Sequence, residues 1–162
     1  MALYSKALRQ AMADGSGFAG ALNGGRIRVF CAASDPSDPT GTAVAAPVTA
    51  DAAETGTLMA ELTLGGDGNT GLSLTHTGAG TLEKPSGASW LCVSVLHSGP
   101  IDYWRFVGPG DTGAESDTQP RIQGTIGRYK ADMIVAEAKV TQGNPWPLDS
   151  FVHLIPAVSD PL

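Results

Sequence analysis

Positive charge is scarce in this 162-residue chain: ten Lys and Arg stand against sixteen Asp and Glu, a formal net charge of −6. No stretch clusters Lys or Arg densely enough to neutralise several phosphates, so the footprint of a nucleic-acid binder is missing. Long apolar runs are lacking too. Nothing approaches the roughly 18 uninterrupted apolar residues of a membrane span. The first ten residues carry Lys6 and Arg9 with no apolar stretch behind them, so no export signal is expected and the protein is expected to stay in the cytosol. Cysteine is limited to Cys31 and Cys92, far apart and without CxxC or Cys/His spacing. That excludes a sequence-evident zinc or redox motif, and two buried free thiols are expected rather than a disulfide.

Reaction chemistry is equally thin. There is no GxSxG elbow and no cysteine motif of a known catalytic type. Gly65-Gly66-Asp67-Gly68-Asn69 lacks the lysine of a phosphate loop and leads into another strand pattern, so it reads as a turn. His76, His97 and His153 sit in separate segments without HExxH spacing. Gly108 to Gly113 resembles a calcium loop in composition alone. Carboxylates such as Asp102 and Glu137 could pair for glycoside hydrolysis, but no pair stands out. No catalytic, cofactor-binding or metal-binding residue is therefore expected, and no enzyme.

What the chain does contain is punctuation. Gly and Pro number 21 and 11, about a fifth of the residues, as expected for turns between many short strands. Leu, Ile, Val and Phe total 34, enough for one lean core. Residues 1–25 read as a helical arm. Leu3, Tyr4, Ala7, Leu8, Ala11 and Met12 recur at helical spacing up to Gly15, and a second turn from Phe18 to Leu22 closes at Asn23-Gly24-Gly25. This arm either packs on its own domain or reaches a neighbouring subunit.

From residue 26 to 162 the period becomes two, in a single domain. Arg26 to Cys31 alternates cleanly, and the pattern returns at Thr57–Leu64, Gly71–Thr77, Ser89–Leu96, Tyr103–Val107, Arg121–Ile126, Asp132–Val140 and Ser150–Ile155. Eight short strands predict an all-β protein, an antiparallel β-sandwich of jelly-roll type with a short N-terminal helix. Ser34 to Thr55 is too long for a hairpin and reads as a surface excursion. Trp90 and Trp104 lie in strand patterns and are expected in the core. Trp146, between Pro145 and Pro147 where regular pairing is not expected, reads as a contact residue. Trp104 and Phe106 share one strand face and Arg105 takes the other. Arg105 and Arg121 either make ion pairs within the domain or meet another subunit.

Three segments, Thr55-Gly56-Thr57-Leu58-Met59-Ala60-Glu61-Leu62-Thr63, Tyr103-Trp104-Arg105-Phe106-Val107-Gly108 with Asp111 and Gly113, and Pro120-Arg121-Ile122-Gln123-Gly124-Thr125-Ile126, resemble in order and spacing a family of small tailed-bacteriophage virion structural proteins. Asp149-Ser150-Phe151 is similar to the family's closing strand; the Ser34–Thr55 excursion and the ending after Ile155 depart from it. The resemblance implies a capsid decoration, or cement, protein: a homotrimer assembled in the host cytoplasm that binds the major capsid protein on the outer surface of the virion. It implies no contact with nucleic acid or membrane. A tail-associated, receptor- or glycan-binding virion protein is the alternative. The interface residues expected on this basis are Leu3, Tyr4, Leu8, Arg105, Arg121 and Trp146.

Overall fold

Alternation is strongest in four stretches, and in the computed structural model these are the central strands of one sheet. The structure describes residues 1–37, 42–77 and 80–155; the ending after Ile155 lies outside the described residues. In chain order the elements are β1 (Leu3–Tyr4), α1 (Lys6–Ala13), α2 (Phe18–Leu22), β2 (Arg26–Cys31), β3 (Thr57–Leu64), β4 (Thr75–His76), β5 (Thr81–Glu83), β6 (Trp90–Cys92), β7 (Gly99–Pro100), β8 (Tyr103–Val107), β9 (Arg121–Gly127), β10 (Met133–Ile134), β11 (Lys139–Val140), β12 (Trp146–Leu148) and β13 (Val152–Leu154).

Eight strands form one sheet in the order β1-β9-β8-β2-β3-β6-β12, with β10 also on β9. β1 and β10 share one edge of β9 end to end: β1 lies antiparallel along Ile122 and Gln123, and β10 parallel along Ile126 and Gly127. The remaining strand pairs are antiparallel, including the small sheets β13-β5-β4 and β11-β7. The fold is thus mostly β with antiparallel sheets and two short helices, and the main sheet is not closed by strand pairing among the described residues.

Register explains the core. One rung across the sheet aligns Leu62, Ile27, Phe106 and Ile122, and a second aligns Ala60, Val29, Trp104 and Gly124. Their side chains share one face and are buried. Burying a side chain such as Phe106 stabilises by about 1.5–3 kcal/mol. Gly124 is needed for space, because a Cβ there would lie 2.9 Å from Trp104 Nε1 and 2.8 Å from Asp132 Cβ. Leu82 of β5 joins the same core, and Phe151 places its ring 5.6 Å from Trp90, 5.7 Å from Trp104 and 6.2 Å from Phe106.

The helical arm packs on its own domain. Leu8, Phe18 and Leu22 are buried in the common core, and the Ser5 hydroxyl accepts the N–H groups of Leu8 at 3.1 Å and Arg121 at 2.8 Å. One side chain therefore caps α1 and ties it to β9.

Four strand expectations need correction, the first being Ser89–Leu96, which is strand only over Trp90–Cys92. Asp132–Val140 is not one strand but two short ones, β10 and β11, separated by the exposed Ala136 and Glu137. Gly71–Thr77 is regular only over Thr75 and His76; Leu72 instead bridges Gly25, with the Gly71 backbone against Gly24. Trp146 and Pro147 do pair regularly, with Cys92 and Leu91, because β12 is an edge strand, where proline is tolerated.

Candidate functional site

The second face of the main sheet is polar yet covered. A rung of Glu61, Arg28, Arg105 and Gln123 crosses β3, β2, β8 and β9, with Arg26 and Arg121 beside it. Arg28 donates to Glu61 Oε2 at 2.9 Å, Glu54 Oε1 at 3.1 Å and the Asp111 carbonyl at 3.0 Å. Burial works to lower the Arg28 pKa, but Glu61 and Glu54 outweigh it and hold the guanidinium above its ordinary value. Arg26 donates to Glu61 Oε1 at 2.7 Å.

Arg121 and Asp111 form a bidentate pair at 2.5 and 2.7 Å, with side chains 1% and 0% exposed. The rest of the guanidinium reaches carbonyls of Ala50, Asp51, Ala52 and Ala114, so a buried cation is enclosed by acceptors. Burial tends to raise the Asp111 pKa, but hydrogen bonds from Arg121 and from the Gly113 N–H hold it below its ordinary value. Gly113, at φ +84°, permits that turn; a Cβ there would lie 2.2 Å from Glu54 Oε2. Arg105 is also fully buried, yet donates only to the neutral acceptors Gln123 Oε1 and Ala52 O. Burial lowers its pKa, partly offset by Glu54.

These contacts pin residues 47–55 across the sheet as a strap. Gln123 Nε2 donates to the Pro47 carbonyl at 2.6 Å, and the Tyr103 hydroxyl donates to the Thr55 carbonyl and accepts the Thr55 N–H. The excursion expected on the surface is, in this part, a lid over buried arginines, with Ala50 only 1% exposed. Its residues 38–41 lie outside the described residues. Chemically the network is a clamp: its carboxylates are engaged by guanidinium groups, leaving none poised beside a nucleophile.

Three margins of the molecule present apolar groups. The main sheet curls until its opposite edges face each other, Ile134 of β10 and residues 135–137 after it against β12 and Asp149, across a groove of about 350 Å³. Ile134, Val135, Trp146 and Leu148 line it, flanked by Glu137 and Asp149. Elsewhere Val93 and Leu96 project beside a shallower groove of about 280 Å³ that includes Leu58 and Cys92. The edge strand β13 exposes Val152 and Leu154.

Of the six expected interface residues, the structure removes three from the surface. Leu8 is core, and Arg105 and Arg121 are fully buried with their hydrogen-bonding groups turned inward, so none can touch a partner directly. For Arg121 the ion pair within the domain is the arrangement found. Leu3 and Tyr4 are half-buried in β1, and the Tyr4 hydroxyl lies 2.7 Å from His153 Nε2. Trp146 is half-buried in the groove between the sheet edges. Sequence reading missed Asp111, Glu54 and Glu61 as partners of the arginines; the one available signal was that Arg105 interrupts a strand, Tyr103–Val107, otherwise apolar on both faces.

Cys31 and Cys92 are free and buried, and burial, with Asp102 nearby, pushes the Cys31 thiol up to about 11. Among the described residues no group of three or more His, Cys, Asp or Glu is placed to hold a metal ion, and no helix is long and apolar enough to cross a membrane. Fold and site together define a mostly antiparallel, mostly β protein whose buried charges form an internal clamp and which exposes apolar groups at its margins and, at Val48, on the strap. No family model, curated protein or solved structure matches the chain.

Proposed function

We propose that the chain is a bacteriophage capsid decoration protein that binds the major capsid protein on the outer head surface and stabilises contacts between capsid subunits. In this reading the two-layered arrangement, a curled sheet with β13-β5-β4 packed on it, is a sandwich of jelly-roll type, and the protein works as a homotrimer on the virion. The observation that carries the reading is the division between its side chains. Arg28, Arg105, Arg121, Glu54 and Asp111 hold the molecule together internally, while Val93, Leu96, Ile134, Val152 and Leu154 are exposed, an arrangement suited to adhesion. The resemblance of the Thr55–Thr63, Tyr103–Gly108 and Pro120–Ile126 segments to small virion proteins points the same way. A standard interface buries on the order of 1,600 Å² in total, and many copies on one lattice multiply a modest individual affinity.

A second reading, a tail-associated or glycan-binding virion protein, is favoured by one observation: Trp146 shares its groove with two carboxylates, Glu137 and Asp149. The test is reconstitution. Purified protein added to particles that lack it is expected to saturate at capsid lattice positions and to raise the temperature at which the heads release their genome. An unchanged melting profile with no lattice density would refute the decoration role, and density confined to the tail would favour the second reading.

A further inference from the structure

We infer that the groove between the two edges of the main sheet receives the Arg128-Tyr129-Lys130 tip of a second copy of this chain. The tip follows β9 directly, and Gly127 pairs with Ile134, so tip and groove are neighbours on one side of the molecule. Tyr129 is 79% exposed, with the Arg128 guanidinium 6.0 Å from its ring centroid. Lys130 is the one described non-glycine residue with positive φ, at 49°. The base of the tip is fixed. Asp132 Oδ2 accepts the Thr125 N–H and hydroxyl, both at 3.0 Å, and the Asp132 N–H donates back to Thr125 Oγ1 at 3.1 Å. An exposed aromatic on a pre-organised loop lowers the entropic cost of docking.

Charge selects the occupant. On a chain of net charge −6, the tip sets two cations around an aromatic ring, and the groove sets two carboxylates around an apolar floor. Among the described residues Arg128, Lys130, Glu137 and Asp149 all lack an ion-pair partner within the chain. The groove volume of about 350 Å³ lies in the range that holds a small organic group. Addition of a strand to this edge is disfavoured, because Pro147 removes a donor from the middle of β12. A side chain carried on a loop meets no such obstacle. With tip and groove side by side, two copies satisfy each other reciprocally, and a closed ring satisfies every copy in turn.

The inference deepens the self-association in the proposed function and rests on that reading, so the two are measured separately. Sedimentation velocity over a concentration series is run on the intact chain, on Tyr129→Ala, on the tip swap R128E/K130E, on the groove swap E137K/D149K, and on the chain carrying all four swaps. The wild type is expected to associate, and Tyr129→Ala to weaken association about 30-fold, as loss of a hot-spot side chain does. Each swap alone is expected to weaken it and the fourfold swap to restore it, with unfolding midpoints unchanged because the altered groups are exposed. A wild type that stays monomeric at every soluble concentration, or association indifferent to Tyr129→Ala and to both swaps, overturns the inference. A monomer that still saturates lattice positions overturns it while leaving the decoration reading standing. Failure of an associating protein to bind particles strikes at the reading and leaves the contact between copies intact.

Discussion

Asp111→Asn is the sharpest test of the arginine clamp, because it keeps the shape of the side chain and removes only its charge. In the wild type Arg121 donates two short bonds to Asp111 and has 1% of its side chain exposed, so water cannot replace the lost carboxylate. Breaking a buried pair from one side costs about 3–5 kcal/mol, a large fraction of the roughly 5–15 kcal/mol that keeps a domain folded. At about 2–4 °C per kcal/mol for a domain of this size, the melting midpoint is expected to drop by roughly 6–20 °C. Arg121→Met should cost a similar amount, and the double variant less than the sum, since each single change leaves one partner uncompensated. The acid limb provides an independent reading. The folded Asp111 pKa lies below the ordinary value of 3.8, so its contribution is complete above about pH 4 and is lost as pH falls through the folded value. In Asp111→Asn that part of the acid-induced loss should disappear. Urea denaturation at pH 7 and pH 3 measures both effects. A cost below about 1 kcal/mol at pH 7 would refute the view that this pair is uncompensated when broken.

Other perturbations separate the remaining roles. Arg105→Met should cost under about 2 kcal/mol, clearly less than Asp111→Asn, because Arg105 is buried against neutral acceptors and the change removes an unfavourable desolvation; a larger loss in the same denaturation assay would show that Glu54 pairs with it more strongly than the geometry implies. Ser5→Ala removes the cap of α1 and the acceptor of the Arg121 N–H together, so a loss of about 1–3 kcal/mol is expected by chemical denaturation, whereas one below 0.5 (on the order of a surface substitution) would deny the double role. Burial lowers the His153 pKa from 6.5, so the neutral ring belongs to the folded state and stability should begin to fall below about pH 6.5, on the acid side. Thermal melts of His153→Gln should be flatter between pH 7.5 and 5.5 (roughly the histidine range) than those of the wild type; equal slopes would count against it. Cys31, 1% exposed with its thiol raised to about 11, should resist a thiol reagent at about pH 8 until the protein unfolds, and prompt labelling of the native protein would contradict that.

The central strands were legible because their residues alternate for a local reason: Ile27, Val29, Trp104, Phe106 and Ile122 must all reach one face. Both short helices were legible from spacing and from their glycine stops, except that Leu3 and Tyr4, which share the helical spacing, pair with β9 as strand β1 before the Ser5 cap starts α1. The polar face was not. The pattern leaves Arg105 and Arg121 open between an ion pair within the domain and contact with another subunit, since in a two-layer protein the side opposite the core is ordinarily wet. What buries them is a strap some 50 to 70 residues earlier in the chain, with Asp111 closing the pair from a loop. Nothing in the local pattern of Tyr103–Val107 announces such partners, although five successive buried residues require cover on both faces. The groove was half legible. Trp146 stood out between its prolines, but Ile134 and Glu137, on its other wall, come from the opposite edge of the sheet and meet it only because the sheet curls.

The strap also sets an order of events in folding. Arg28 and the Lys6 N–H precede it, but most of the groups that hold it down follow: Tyr103, Arg105, Arg121 and Gln123, across separations of 48 to 76 residues. Loops of that length close at an entropic cost that must be met before their contacts return anything. Residues 47–55 therefore stay undocked on a nascent chain until β9 has emerged from the ribosome and found β8. Docking of the strap is then among the last steps, and a chain truncated before Arg121 should be cut by protease within this segment.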